Sequence, residues 1–155
     1  MVAALRTPRT LRPALPEDGP LMVQCRVPDA MRLLLGGGSE DSDQRNLAKQ
    51  LDARDLLWNH CPNEAERSES ERGSALAKGL KKGVPDVMIY DPFVWQGKHF
   101  SGLAIELKRS DCTPTDVSDD QRRWLHGLRA RGWMAEWCRG FGEAERLVRR
   151  AYGGG

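Results

Sequence analysis

The amino-acid sequence predicts an α/β protein in which helices flank a small mixed β-sheet. Three observations predict this class. Two stretches with helical spacing of apolar residues follow the cap-like serines Ser39 and Ser118, and an amphipathic stretch closes the chain. Short apolar stretches with strand character lie between them. The resulting element order is helix, strand, strand, strand, helix, strand, helix, which is typical of a layered α/β domain.

The length and composition of the chain favour one domain. At 155 residues it can form a single modest core. Residues 1–38 are punctuated by prolines and end in three glycines, so we expect a flexible or partly ordered arm there and a folded domain at residues 39–152. The four cysteines form no CxxC pair, which argues against a zinc ribbon. With no signal-peptide pattern and no apolar run that could cross a membrane, we expect a cytosolic protein.

The first half of the domain is predicted to begin with a helix. Ser39 is a suitable N-cap, acidic residues follow it where the helix dipole favours negative charge, and the helix is expected to end at about residues 52–55. Residues 56–60 are predicted as a short first strand. Residues 62–82 are polar and alternately charged, and we expect a loop there with one helical turn at residues 75–80.

The second half contains a hairpin-like unit with strands predicted at residues 86–90 and 103–108. The segment Gly83-Val84-Pro85-Asp86 leads into the first strand, because the proline favours an extended residue before it. The remaining predicted elements are a helix capped by Ser118 and ended by Gly132, a strand at residues 133–137 and a helix at residues 143–152.

Acidic and basic side chains are predicted to meet at one end of this hairpin. Asp86 opens the first strand, and Glu106 and Lys108 end the second, so that the two acids are 106 − 86 = 20 positions apart. Glu106 and Lys108 share a face because alternate residues of a strand do so. Carboxylates hold Mg²⁺ through oxygen, the metal polarises a phosphate and lowers the pKa of a bound water, and a lysine can orient that water or stabilise developing charge. The pattern indicates metal-dependent phosphodiester cleavage, with the backbone carbonyl of Leu107 as a further candidate metal ligand.

Each of these residues also has a purely structural interpretation. Asp86 can be a turn residue, and Glu106 with Lys108 can be an ion pair on an exposed sheet face. The apolar neighbours of Glu106 in its strand argue against that second interpretation, because they predict a buried strand.

Two further polar residues are candidates with open alternatives. Glu40 can be a carboxylate ligand that reaches the site from the first helix, but helix capping alone explains an acid there, and Asp41 or Asp43 would serve equally. Gln121, at the start of a helix, can bind a nucleic-acid backbone or orient the lysine. It can also be a solvated glutamine beside the buried Trp124.

The net charge of +2 is only weakly basic, but charge is unevenly distributed. Residues 121–151 contain eight arginines and three glutamates, a local net charge of +5. Such a segment can form a basic face for a polyanion or an ordinary solvated helix surface.

The candidate residues resemble the PD-(D/E)xK nuclease superfamily, through Pro85-Asp86 and Glu106-x-Lys108. More narrowly, the chain resembles the VRR-NUC family of virus-type replication-repair nucleases, over roughly Ser39 to Tyr152. The matching features are Glu40, Cys61-Pro62-Asn63-Glu64, the segments from Gly79 to Asp86 and from Gly102 to Lys108, Gln121, and the strand entry from Gly132 to Ala135.

The resemblance implies a restriction-endonuclease-like core and a DNA endonuclease that uses Mg²⁺ or Mn²⁺. It implies that Asp86 and Glu106 bind the metal, Glu40 completes the metal shell, Lys108 assists the water and Gln121 supports the site. Stand-alone members are often phage-encoded and look like dimeric Holliday-junction resolvases, so we expect a homodimer that cuts branched DNA. A sequence-specific restriction-like or homing endonuclease and a non-catalytic DNA-binding module are the alternatives.

Overall fold

The structure, a computed structural model, describes residues 39–61 and 69–153. The predicted arm and residues 62–64 of the matching motif lie outside the described residues. The helices of the described part are α1 (Glu40–Ala53), α2 (Glu69–Ala77), α3 (Asp119–Arg129) and α4 (Gly140–Tyr152), with a 3₁₀ turn at Pro114–Asp116. The strands are β1 (Trp58–His60), β2 (Val87–Ile89), β3 (Phe93–Trp95), β4 (Lys98–Phe100), β5 (Leu103–Lys108) and β6 (Met134–Arg139).

Four strands form a mixed sheet in the order β1-β2-β5-β6. The pairs β1–β2 and β2–β5 are antiparallel, whereas β5 and β6 are parallel. A parallel pair needs a long crossover, and α3 supplies it between β5 and β6. The predicted α/β class with a small mixed sheet is therefore confirmed.

A second, two-stranded sheet was not predicted. β3 and β4 form a hairpin between β2 and β5. Its two turn residues, Gln96 and Gly97, both have positive φ angles, of 49° and 74°. This is the backbone conformation of a type I′ turn, whose twist matches that of a tight hairpin.

Helices cover both faces of the main sheet. On one face, apolar residues of the strands pack against α1 and α4; the central members of this cluster are Leu47, Leu51, Leu103, Ile105, Leu107, Leu147 and Val148. On the other face they pack against α3; this second cluster consists of Met88, Ala104, Leu125, Leu128 and Ala135. Because side chains alternate along β5, Glu106 and Lys108 lie on the α3 face and Leu107 lies on the opposite face.

Several predicted boundaries were wrong. The polar stretch contains the helix α2, instead of a loop with one turn at residues 75–80, because its Glu, Arg and Ala residues are good helix formers. β1 starts at Trp58, since the Leu56 N–H is still bonded to the Leu51 carbonyl at the end of α1. β6 continues to Arg139, which lies opposite Lys108 in the parallel register.

The arginine-rich segment does not form one basic face. α3 and α4 lie on opposite sides of the sheet, so their arginines are separated. Several of these arginines pair with carboxylates; the pairs include Arg123–Asp120, Arg129–Glu136, Arg139–Glu143 and Arg149–Glu145. This arrangement fits the solvated-helix interpretation. None of the helices in the described ranges has the length and apolar character that crossing a membrane requires.

Candidate active site

The antiparallel pairing of β2 with β5 brings the two predicted acids to one end of the sheet. Val87 lies opposite Ile105, so Asp86 lies beside the last residues of β5. The Leu107 N–H donates a hydrogen bond of 2.8 Å to Asp86 Oδ2, and the Asp86 residue is buried. The Asp86 carbonyl accepts the Cys61 N–H at 2.8 Å and lies 2.9 Å from Nδ1 of His60. Asp86 is therefore fixed between two strands and is not a solvent-exposed turn residue.

Glu106 is a buried carboxylate with one oxygen that has no hydrogen-bond partner. The residue is 1% exposed. Its Oε1 accepts from Lys108 Nζ at 2.8 Å and also from Gln121 Nε2, whereas its Oε2 is buried without a partner. The side chain of Lys108 is itself 15% exposed, so this is not a pair on an exposed sheet face. A buried, unpaired carboxylate oxygen is costly, and it is chemically suited to accept a cation or a donor group.

The amide of Gln121 is oriented by the start of α3. The Ser118 N–H donates to Gln121 Oε1 at 2.9 Å, and the Gln121 N–H donates to Ser118 Oγ at 3.2 Å. This is a capping box, and it leaves the amide nitrogen of Gln121 facing Glu106. Gln121 is therefore not simply a solvated residue. The Ser-x-x-Gln pattern is visible in the sequence, but its connection to the acid pair is not.

A glycine missed as a site residue brings the Asp86 turn against α3. Gly83 has φ of +74°, and a Cβ built there would lie 2.5 Å from both the Asp120 carbonyl carbon and the Gln121 nitrogen. No side chain fits at this contact. In the sequence, only its position just before Val-Pro-Asp indicates a special role for this glycine. The helix that it contacts lies far along the chain. Direct backbone contact thus sets the spacing between Asp86 and Gln121.

The charges of the site strongly influence one another. Burial, followed by repulsion from Asp86, raises the pKa of Glu106 to about 7, although Lys108 opposes this shift. Burial also raises the pKa of Asp86, which the Leu107 N–H partly offsets. Burial alone would lower the pKa of Lys108, but its hydrogen bond to Glu106 and the surrounding acids raise it above the ordinary value. The positive charge at the site thus compensates the two buried carboxylates only in part.

Among the three acids of the first turn of α1, Glu40 is the one whose charge acts on this site. It raises the pKa of Asp86, Glu106 and Lys108, although other contacts contribute more. Asp41 is exposed and pairs with Arg45 at 2.8 Å, and Asp43 is buried against α4. The structure thus distinguishes the roles of Glu40, Asp41 and Asp43, which the sequence alone did not.

The donor chemistry of the site fits a divalent cation with few protein ligands. Within residues 39–61 and 69–153, no three His, Cys, Asp or Glu side chains form a ready-made metal cluster. Mg²⁺ is commonly bound through one or two carboxylates together with waters and substrate phosphates. Asp86 and the unpaired Oε2 of Glu106 supply such a pair. The Leu107 carbonyl faces the same edge as its N–H, because the two groups of one strand residue point the same way.

We predict that Glu106→Gln stabilises the metal-free protein at high pH. The pKa of Glu106 is raised on folding, so its contribution to stability is present below its ordinary value of 4.5 and is lost as pH rises through about 7. At about pH 8 the variant should therefore exceed the wild type in unfolding free energy by up to about 3 kcal/mol, and the difference should shrink towards about pH 4. Thermal and urea unfolding with a chelator measure this difference. A less stable variant at high pH would contradict the raised pKa.

Comparisons with known proteins give the family. The family model described as VRR-NUC domain matches residues 38–142, which is more than half of the chain. A solved structure described as a VRR_NUC domain protein has a TM-score of 0.56 at 18% identity, covering 74% of this chain and 88% of that chain, so the likeness concerns the fold. No curated protein matches. With the family match over most of the described fold, the chain belongs to the VRR-NUC family of nucleases.

Proposed function

We propose that the chain is a DNA endonuclease that uses Mg²⁺ or Mn²⁺ and cuts branched DNA, such as a Holliday junction, as a homodimer. The observation that carries the proposal is Glu106, whose buried Oε2 has no partner although Asp86 and Lys108 lie beside it. Membership of a nuclease family supports phosphodiester cleavage as the reaction.

In this proposal Asp86 and Glu106 hold the cation, with Glu40 and the Leu107 carbonyl as additional ligands. The residues present fit this role, because hard divalent cations prefer oxygen donors and a positive charge relieves the repulsion between the two acids. Once bound, the cation polarises the phosphate and lowers the pKa of an attacking water.

Lys108 and Gln121 act on the acids and on the substrate. Lys108 Nζ, which donates to Glu106 Oε1 at 2.8 Å, serves as a donor to phosphate or water. Gln121 occupies Oε1 of Glu106 together with Lys108. Both donors therefore leave Oε2 as the oxygen that faces the cation.

The preference for branched DNA follows from the resemblance to stand-alone family members. A homodimer carries two sites related by a two-fold axis, and such a pair suits symmetric cuts in opposing strands of a junction. A restriction-like enzyme would instead cut linear duplex at a defined sequence, and a binding module would cut nothing.

We predict that Glu106→Gln and Asp86→Asn each lower Mg²⁺-dependent cleavage by at least about a hundredfold, since even loss of groups that merely orient ligands costs 10–100-fold. The matched control is Glu136→Gln, the same substitution in the neighbouring strand at a half-buried residue paired with Arg129. The assay uses labelled linear duplex, single strand, flap, splayed arm and four-way junction, with Mg²⁺, Mn²⁺ or EDTA.

Paired cuts on the junction that disappear in EDTA and in the two site variants are the expected result, with the control unchanged. Cuts at one sequence in linear duplex would replace the branched-DNA proposal by the restriction-like one. Turnover retained in both site variants would refute the site, and the absence of any metal-dependent cutting would leave a binding module. Light scattering of the same preparation tests the homodimer.

We also predict that Gly83→Ala lowers cleavage by between about tenfold and a hundredfold, because misplacement of site groups by about 1 Å has effects of this size. Gly79→Ala is the matched control: Gly79 also has a positive φ, of +102°, but a Cβ there meets nothing within 4 Å. The single-turnover cleavage rate is measured for both variants, and circular dichroism checks that each is folded. The comparison separates the effect of the contact with α3 from the effect of backbone strain at a positive φ. Equal losses in both would show that the contact with α3 is not what matters.

A further inference from the structure

We propose that Asp43 is a positioning residue, which anchors the first turn of α1, and with it Glu40, to the strand ends that carry Glu106 and Lys108. The inference rests on the proposed function, because it assigns Asp43 the task of placing a ligand of that site. It differs from a ligand role for Asp43 itself, which the contacts of this side chain do not favour.

The first observation is that Asp43 lies at the start of a helix to which it does not belong. The N-cap residue of α4 is Arg139, and its side chain makes no capping hydrogen bond. The carboxylate of Asp43 instead lies at this helix start, with Oδ2 against Gly140 and beside the backbone N–H of Phe141. Unpaired N–H groups at a helix start need such an acceptor, and a nearby Asp usually supplies it. Glu143 Oε2 accepts the Arg139 N–H at 2.8 Å, and Asp43 of α1 is a second carboxylate at this helix start.

The contact is close and enclosed. Asp43 is 8% exposed, although it is an acidic residue in the first turn of a surface helix. A Cβ at Gly140 would lie 3.3 Å from Asp43 Oδ2 and 3.5 Å from Ser110 Cβ. Gly140 has a positive φ of 66°, and the absence of a side chain there leaves room for the carboxylate. Burial of an acid is costly unless it is hydrogen-bonded, so this placement has a structural purpose.

The second observation connects this anchor to the site. α4 follows β6 without a loop, and Arg139 at the end of β6 lies opposite Lys108 of β5. Asp43 therefore joins α1 to the end of the sheet at which the site lies. Glu40 precedes Asp43 by three residues, so both side chains are on one side of α1. The charge of Glu40 acts on Asp86, Glu106 and Lys108, as expected if the anchored turn faces the site.

The test compares Asp43→Ala with Asp43→Asn and Asp41→Ala. The asparagine retains a side-chain oxygen at the start of α4, and Asp41→Ala removes the same charge from the same turn at an exposed residue. Amide hydrogen exchange of the metal-free protein reports on the anchor, and titration calorimetry with Mn²⁺ reports on the ligands. We expect faster exchange at Phe141 and in the first turn of α1, and about tenfold weaker Mn²⁺ binding, in Asp43→Ala only.

A cycle with Glu40→Ala tests whether Asp43 acts through Glu40. If it does, Asp43→Ala weakens Mn²⁺ binding in the wild type but adds little to Glu40→Ala. Additive losses, or failure of Asp43→Asn to restore slow exchange and Mn²⁺ affinity, would overturn the inference. Unchanged exchange in Asp43→Ala would overturn it whether or not Mn²⁺ binds. If the wild type binds no Mn²⁺ but Asp43→Ala alone shows the faster exchange, the result would overturn the proposed function instead.

Discussion

The geometry of the candidate active site depends on two carboxylates that are buried side by side and only partly compensated by positive charge. Asp86 and Glu106 are both enclosed, and burial together with their mutual repulsion raises the pKa of Glu106. The Leu107 N–H and the ammonium of Lys108 offset only part of this cost, and Oε2 of Glu106 has no hydrogen bond. A fold optimised for stability alone would not place an unsatisfied acid in the middle of an apolar strand. Clusters of strained ionisable groups of this kind are typical of functional sites.

The topology explains how one small domain keeps these groups together. The crossover from β5 through α3 to β6 returns the starts of α3 and α4 to the sheet end at which β5 finishes. Gln121 comes from the first of these helix starts, and Asp43 of α1 lies against the second. At Gly83 the turn before Asp86 is in direct backbone contact with α3. Each of these contacts joins distant segments of the chain, so secondary structure on both faces of the sheet sets the geometry of the described site residues.

The sequence predicted what local patterns encode. Ser39 and Ser118 predicted helix starts, and the alternation along β5 placed Glu106 and Lys108 on one face. Contacts between distant segments were not predictable. α4 begins at Gly140, earlier than the predicted Glu143, and the carboxylate that lies against this start belongs to Asp43, 97 residues away (140 − 43 = 97). Likewise, nothing local distinguished Glu40 from Asp41 and Asp43.

The central claim is that Asp86 and Glu106 form a cation site that the metal-free fold holds at a cost. The most direct measurement is the melting temperature at about pH 8 as Mg²⁺ or Mn²⁺ is added, for the wild type and Glu106→Gln. A ligand that binds only the folded state raises the melting temperature with its concentration. The account predicts a saturable rise for the wild type and little or none for the variant. An equal rise in both proteins, or none in the wild type, would contradict it.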